Sequence, residues 1–511
     1  MALIRRLAEW SADLSPDAVP VDVVERVRLQ HLALGGAWAA AGDLACVAAA
    51  RKAAAPRGAS PVPGGRGTAR RDAVRLLATG LTALELDDFL LGGHTGAAAA
   101  SVTWALSKGR SVDELVAATV VANELGARLG ASHMMSRGSA QPAVASLAAA
   151  AAAARLLRLD ADATAHALAL AIAAPRRIAD DTLMGSPERR GPALALPIVD
   201  GFDAAVLAAA GVEGPLDVLD SRCGFYGDDD LPLRAAFTGL GTCWLTRTLA
   251  YKPLPGCAWL QVPIQATREI LRRHVQAADK RLRANQVVRI ELALPAPCIA
   301  LEARVARVAH ASSLFSVRRA IGALCVAYEL GPEQLTAGWL AKHRDAVERI
   351  AAAVEVRHDW QLSVAMVEQL LDVAAPLLAG VTPAELRDAS QRLLKASDVP
   401  APAGKDLLAL LKARPDRVLA TLGRSSGDLG DLDADAWRYT LGLQMKLFTT
   451  RGGWWPERRD TLEGGPGWAW ADTVELVRAK HAQSDDARRE AGEALLAAAG
   501  SDDAAGWVGW L

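Results

Sequence analysis

Apolar positions recur at helical spacing along most of this chain. Leu3, Leu7 and Trp10 share one face, and Val23, Val24, Val27 and Leu34 share another, with Asp22 placed to cap the second helix. Helical periodicity resumes at Ala73–Leu86, and in Ser111–Leu129 the residues Leu115, Ala118, Val121 and Leu125 fall on one side. The Ala-rich run Ala140–Ala154, Asp160–Ala174 and Ala193–Ala210 are read as further helices. Between them lie polar, Gly/Pro-rich breaks: APRGASPVPGGRGTARRD, SHMMSRGSAQPAV and APRRIADDTLMGSPERRG. Small side chains let helix backbones approach closely, so this succession predicts a large all-helical domain over residues 1–265.

Near residue 285 the period changes. In NQVVRIELALPAP, Val288, Ile290, Leu292 and Leu294 alternate with Arg289, Glu291 and Ala293, which is strand spacing. Helices are expected at Leu314–Tyr328, Pro332–Lys342, Ser363–Ala375 and Pro383–Leu394, with a short strand at Ala352–Arg357, giving a smaller α+β lid domain over 266–395. Residues 396–511 open on the Pro-rich stretch SDVPAPAGKD and hold seven of the 14 tryptophans. This part reads as a helical, Trp-rich extension packing on the helical domain, its indoles filling an irregular core or a subunit contact rather than a ligand cage. The fold class is therefore mainly α.

Composition narrows the function. At 511 residues and 51% hydrophobic content the chain can bury more than one core. Its 57 basic and 58 acidic residues nearly cancel, leaving no overall field for nucleic acid or an anionic membrane, so a small molecule or a protein is the expected partner. Six cysteines without a C-x-x-C pair argue against a zinc knuckle or a disulfide framework and for a reducing cytoplasm. No signal-like apolar run follows MALIRRLAEW, and the Ala140–Ala154 run is short for a membrane span. An Ala/Arg-rich, Lys-poor composition suggests a bacterial source.

The stretch ALELDDFLLGGHTGAAAASVTW, residues 83–104, concentrates the candidate chemistry. Glu85, Asp87, Asp88 and His94 surround a Gly-Gly turn that leads into a helix, where side chains and backbone donors reach a polar substrate together. The same Asp87, Asp88 and Thr95 would also serve as plain helix caps.

Several segments in order resemble the MmgE/PrpD family, which contains 2-methylcitrate dehydratases and cis-aconitate decarboxylases. They are ELDDFLLGGHTG, AVASLAAAAAAARLLRLDADATAHALALAIAAP, GFDAAVLAAAGVEGPLDVLDSRCGFY, AYKPLPGCAWLQVPIQA and SLFSVRRAIGAL, together spanning about residues 1–395. The resemblance implies a pocket between helical domain and lid, a homodimer, and no metal or organic cofactor.

Carried over position by position, the family's functional residues are only partly kept. Glu85 stands for an aspartate, Phe89 for a threonine, Ser139 for a second histidine, Arg190 for a lysine and Val317 for a tyrosine. His94 and Lys252 are unchanged, and His133, six residues before Ser139, substitutes for the lost histidine only if its loop is rebuilt. The expected catalytic set is Glu85, Asp88, His94 and Lys252. Asp87, Phe89, His133, Ser139, Arg190, Cys257, Gln261 and Val317 are expected around the substrate. Cys257 has no base near it in sequence and suits packing better than nucleophilic attack.

Dehydrating a citrate-like acid needs a base for a proton α to a carboxylate, an acid for the departing hydroxide, and cations for the charge that develops. Losing an imidazole and a phenol removes two proton-transfer groups, each worth roughly 10²–10⁴ in rate. Phe89 and Val317 would make the pocket more apolar, favouring a less charged substrate and raising the pKa of Glu85. The expected function is thus a divergent lyase or isomerase using proton transfer beside a carbonyl or carboxylate, with dehydration as default and a place in specialised metabolism. Cyclisation or isomerisation without net elimination is the enzyme alternative, and a non-catalytic binding or assembly protein is the other.

Overall fold

The structure is a computed structural model that describes residues 2–55, 58–134, 140–227, 232–382, 384–385, 387–388, 391–392, 427–483, 485–509 and 511. It is mainly α-helical with one small sheet. The elements that build the site are α1 (Leu3–Asp13), α2 (Val21–Ala41), α3 (Arg70–Ala83), α4 (Gly96–Ala105), α5 (Val112–Ser132), α6 (Gln141–Leu156), α7 (Ala161–Ala173) and α8 (Pro187–Ala209). Helices α4 and α6 are almost wholly buried and at least half alanine, so their backbones lie close to their neighbours, and α6 packs against α5, α7 and α8. Helix α8 starts at Pro187, earlier than its periodicity suggests, with Pro192 and Pro197 inside it. By length and composition α8 would also cross a membrane, yet 56% of its most apolar stretch is buried within the protein.

Helix α5 shows why local sequence sufficed for this half. Ser111 accepts from the Glu114 N–H while Glu114 accepts from the Ser111 N–H, a reciprocal cap that fixes the helix start. Asp22, in contrast, does not cap α2. Pro20 occupies that position, and Asp22 sits in the first turn, gripped by Arg247 at 2.8 and 3.0 Å.

The smaller α+β part, expected as a lid, is built on a four-stranded sheet of order β2-β1-β3-β4, with β1 at Val287–Leu294, β2 at Val354–His358, β3 at Leu443–Thr449 and β4 at Trp454–Arg459. β1 runs parallel to β2 and antiparallel to β3, and β3 and β4 form an antiparallel hairpin. A bulge between Val287 and Arg289 shifts the register, so Val287 is buried while Val288, expected inside, is 55% exposed. Around the sheet and its junction pack α9 (Gln261–Ala278), α10 (Val317–Ala327) and α11 (Ala337–Ala352).

The chain's last part departs from the expected helical extension over 396–511. Residues 443–459 supply half of the sheet, because β1 leaves an open edge that an antiparallel hairpin satisfies. Only then does the chain return to the helical domain as α12 (Trp470–Ala482), which packs on α2, followed by α13 (Asp486–Ala497) and α14 (Ala504–Gly509). The tail re-enters through an isolated bridge between Ser111 and Asp503. The helix expected at Pro383–Leu394 falls largely outside the described residues.

Candidate functional site

The segment from Leu84 to Thr95 leaves α3, turns, and feeds α4. Its first turn is made by Glu85, whose φ of 51° is unusual for a side-chain-bearing residue. Phe89 then pairs with Ala250 through hydrogen bonds of 3.2 and 2.8 Å, laying the acidic segment beside the Tyr251–Lys252 segment. Leu90 and Gly93 close the Gly-Gly turn at 2.9 and 3.0 Å. Gly92 is there for space, since a Cβ on it would sit 2.2 Å from the Ala127 carbonyl oxygen of α5. At the end of the turn Gln141 clasps the backbone of His94 from both sides, at 3.0 and 2.7 Å. Thr95 bonds Asn123 at 2.7 Å and leaves the α4 N–H groups uncapped by its side chain.

This path gathers five ionisable side chains from three parts of the chain. His94 Nδ1 lies 3.1 Å from Asp87, and its Nε2 lies 3.7 Å from Glu85. Lys252 Nζ is 3.6 Å from Glu85 and 3.5 Å from Asp87, and Arg190 pairs with the other oxygen of Glu85. Lys252 is fully buried and both carboxylates nearly so, whereas the His94 side chain keeps 20% exposure. The imidazole is therefore the member of the cluster that meets solvent.

Burial sets the protonation of the group. It opposes the Asp87 charge, but Lys252 and His94 outweigh it and hold Asp87 down to about 2. Burial also lowers Lys252, against the pull of Asp87. Asp88 goes the other way: burial and then the Asp87 charge push it up to about 7, against Gln30, Lys480 and His94. Asp88 is thus a carboxyl that burial holds neutral, while Glu85 meets two cations. Burial likewise raises the Cys257 thiol, an arrangement for packing rather than for a nucleophile.

The remaining expected residues fall around or away from this cluster. Phe89 packs on the His94 ring at 6.0 Å and edge-on to Tyr439 at 4.8 Å. Gln261 uses its amide to brace the carbonyls of Leu254 and Gly256, each at 3.0 Å, and so shapes the loop after Lys252. Val317 is buried at the start of α10, its N–H bonded to Glu302. His133 ends α5 beside Phe225 and Tyr226, at ring distances of 5.9 and 6.4 Å. Ser139 lies outside the described residues. The α+β part touches the cluster through Phe315, whose ring faces the Arg190 guanidinium at 5.1 Å, and through Leu314, whose carbonyl accepts from the Cys257 N–H at 2.8 Å.

Sequence reasoning missed Lys480, Tyr439 and Gln141. Lys480 comes from the last turn of α12 and donates to the Leu86 carbonyl at 2.7 Å, between Glu85 and Asp87. Burial of its ammonium brings it down to about 7 despite Asp88. A basic residue in a helix's last turn reads as a dipole partner, and nothing local points 394 residues back along the chain.

Glu85, Asp87 and His94 bring possible metal-ligand atoms within 4.8 Å of one another. Lys252 and Arg190 already neutralise those carboxylates, so the cluster lacks the surplus negative charge that a divalent cation requires. What the arrangement suits is proton transfer: an imidazole oriented by a carboxylate, backed by buried cations.

Residues 5–227 match the family model for the MmgE/PrpD N-terminal domain, which contains the whole acidic segment, His94 and Arg190. No curated protein matches the chain.

Proposed function

We propose that this chain is a dehydratase-like lyase acting on a small organic acid, a reading supported by the match of residues 5–227 to the MmgE/PrpD N-terminal domain. The observation that supports this reading is the Asp87–His94 pair at 3.1 Å, with the imidazole reaching solvent from an otherwise buried cluster. Asp87 orients the ring through Nδ1, leaving Nε2 to take a proton α to a carbonyl or carboxylate. The C–H electron pair forms the new double bond as the β C–O bond breaks, and the departing hydroxide takes a proton and leaves as water. Lys252, which burial makes a readier donor, and Asp88, neutral up to about pH 7, are the acids at hand. Arg190 and Lys252 supply positive charge for the developing enolate.

Isomerisation or cyclisation uses the same groups without net loss. Phe89, which packs on the His94 ring and is itself backed by Tyr439, favours a substrate less charged than a tricarboxylate.

The test is turnover and proton exchange in deuterated water with 2-methylcitrate, citrate, cis-aconitate and a panel of mono- and dicarboxylic hydroxy acids. Exchange or elimination that falls roughly 10²–10⁴-fold in His94→Ala is the expected result. Exchange that survives this substitution, or its absence across the panel, would overturn the assignment of His94 as base.

A further inference from the structure

A cavity of about 330 Å³ lies apart from the acidic cluster and shares no lining residue with it. Its walls come from α2, the segment before Lys252, Asp435 and Arg438, the turn Gly464–Gly467, and the first turn of α12. Three arginines line it: Arg26, Arg247 and Arg438. The charge of Arg247 is already answered, by Asp22 at 2.8 and 3.0 Å and by Asp435 at 3.9 Å. Arg26 and Arg438 form no ion pair among the described residues.

Arg438 spends one nitrogen on the carbonyls of Asp435 and Trp437, at 2.6 and 2.7 Å, and makes no other hydrogen bond among the described residues. It passes directly over Gly467, where a Cβ would lie 2.1 Å from its Cδ and 2.2 Å from its Nε. Only a bare backbone there lets the guanidinium lie across the turn. Arg26 lies over the Trp470 ring at 4.9 Å, and its buried Nε has no hydrogen-bond partner among the described residues. Two guanidiniums with no carboxylate partner among the described residues thus line one small cavity, and their planar N–H forks match the oxygens of a phosphate or carboxylate. The 13-residue helix α12 adds the positive end of its dipole, since Trp470 and Thr473 of its first turn line the same space. A volume near 330 Å³ suits a small molecule rather than a macromolecular segment.

We infer that this cavity binds a small organic oxyanion, a phosphate or a carboxylate, gripped between Arg26 and Arg438 with Trp468 at its edge. The inference stands independently of the reaction at His94.

Calorimetric titration of the full chain at low ionic strength, with pyrophosphate and separately with malonate, tests it. Saturable binding of either anion, weakened roughly tenfold or more in both Arg26→Gln and Arg438→Gln, is the expected result. The anion that binds more tightly identifies the source as phosphate or carboxylate. Arg26→Lys keeps the charge and loses the fork, and should retain weak binding, which separates loss of contact from misfolding. His94→Ala should bind as the unmodified chain does. No binding of either anion, binding indifferent to both arginines, or binding lost in His94→Ala would overturn the assignment.

Discussion

Asp88→Asn replaces a buried carboxyl by a neutral group of the same shape. In the fold Asp88 keeps its proton up to about pH 7, whereas in the unfolded chain it loses it near the ordinary 3.8. Between these values the folded state binds more protons than the unfolded state, so stability falls as pH rises through this range and the loss is complete above it. At ~1.4 kcal/mol per tenfold change in protonation, the span from 3.8 to about 7 corresponds to about 4 kcal/mol. About 3 kcal/mol of that falls between pH 5 and pH 8. The variant has no such proton to lose. Urea denaturation of both proteins at pH 5 and pH 8, compared as the variant's stability minus the unmodified protein's, cancels the titrations of groups that do not interact with Asp88. Lys480, lowered further once the Asp88 charge is gone, shifts the difference in the same direction. The difference should grow in the variant's favour by about 3 kcal/mol from pH 5 to pH 8. A difference that is equal at the two pH values, or that shrinks, would refute the account of Asp88 as a carboxyl held neutral by burial.

Lys480→Met removes a cation that opposes burial at Asp88, so the pH at which Asp88 ceases to cost further stability should move above about 7. The same paired denaturation in the Lys480→Met background reads this directly. Lys252→Met leaves Glu85 and Asp87 without the ammonium between them, and about 3–5 kcal/mol of stability should be lost, with less than ~1 kcal/mol counting against a buried charge network. Gly96→Ala is a useful inversion, because alanine ordinarily favours a helix over glycine by roughly 0.5–1 kcal/mol. Here a Cβ would lie 2.2 Å from Asp88 Oδ1, so thermal denaturation should show a loss of about 1–3 kcal/mol instead.

The local pattern determined much of this protein. Helical periodicity, the Ser111–Glu114 cap and the alternation around Ile290 each report a choice made within a few residues, where burial of one face decides the element. The Gly-Gly turn was legible for the same reason: a carboxylate-rich loop running into a helix demands residues that bend sharply, and Gly92 meets the α5 backbone at a distance no side chain tolerates. Glu85, Asp87, Asp88 and His94 are close because they are close in sequence.

The tertiary structure decided what those groups can do. That Asp88 is held neutral followed from its burial and from the Asp87 charge beside it, while Arg190 and Lys252 meet Glu85. A pattern read along one segment carries no record of charges brought in from residues 190, 252 and 480. The same holds for the α+β part, where one bulge turned Val288 outward and a hairpin about 150 residues downstream completed the sheet. Periodicity records which face of an element is apolar. Its partner, and the electrostatic surroundings that partner brings, are set by packing over distances the local sequence does not encode.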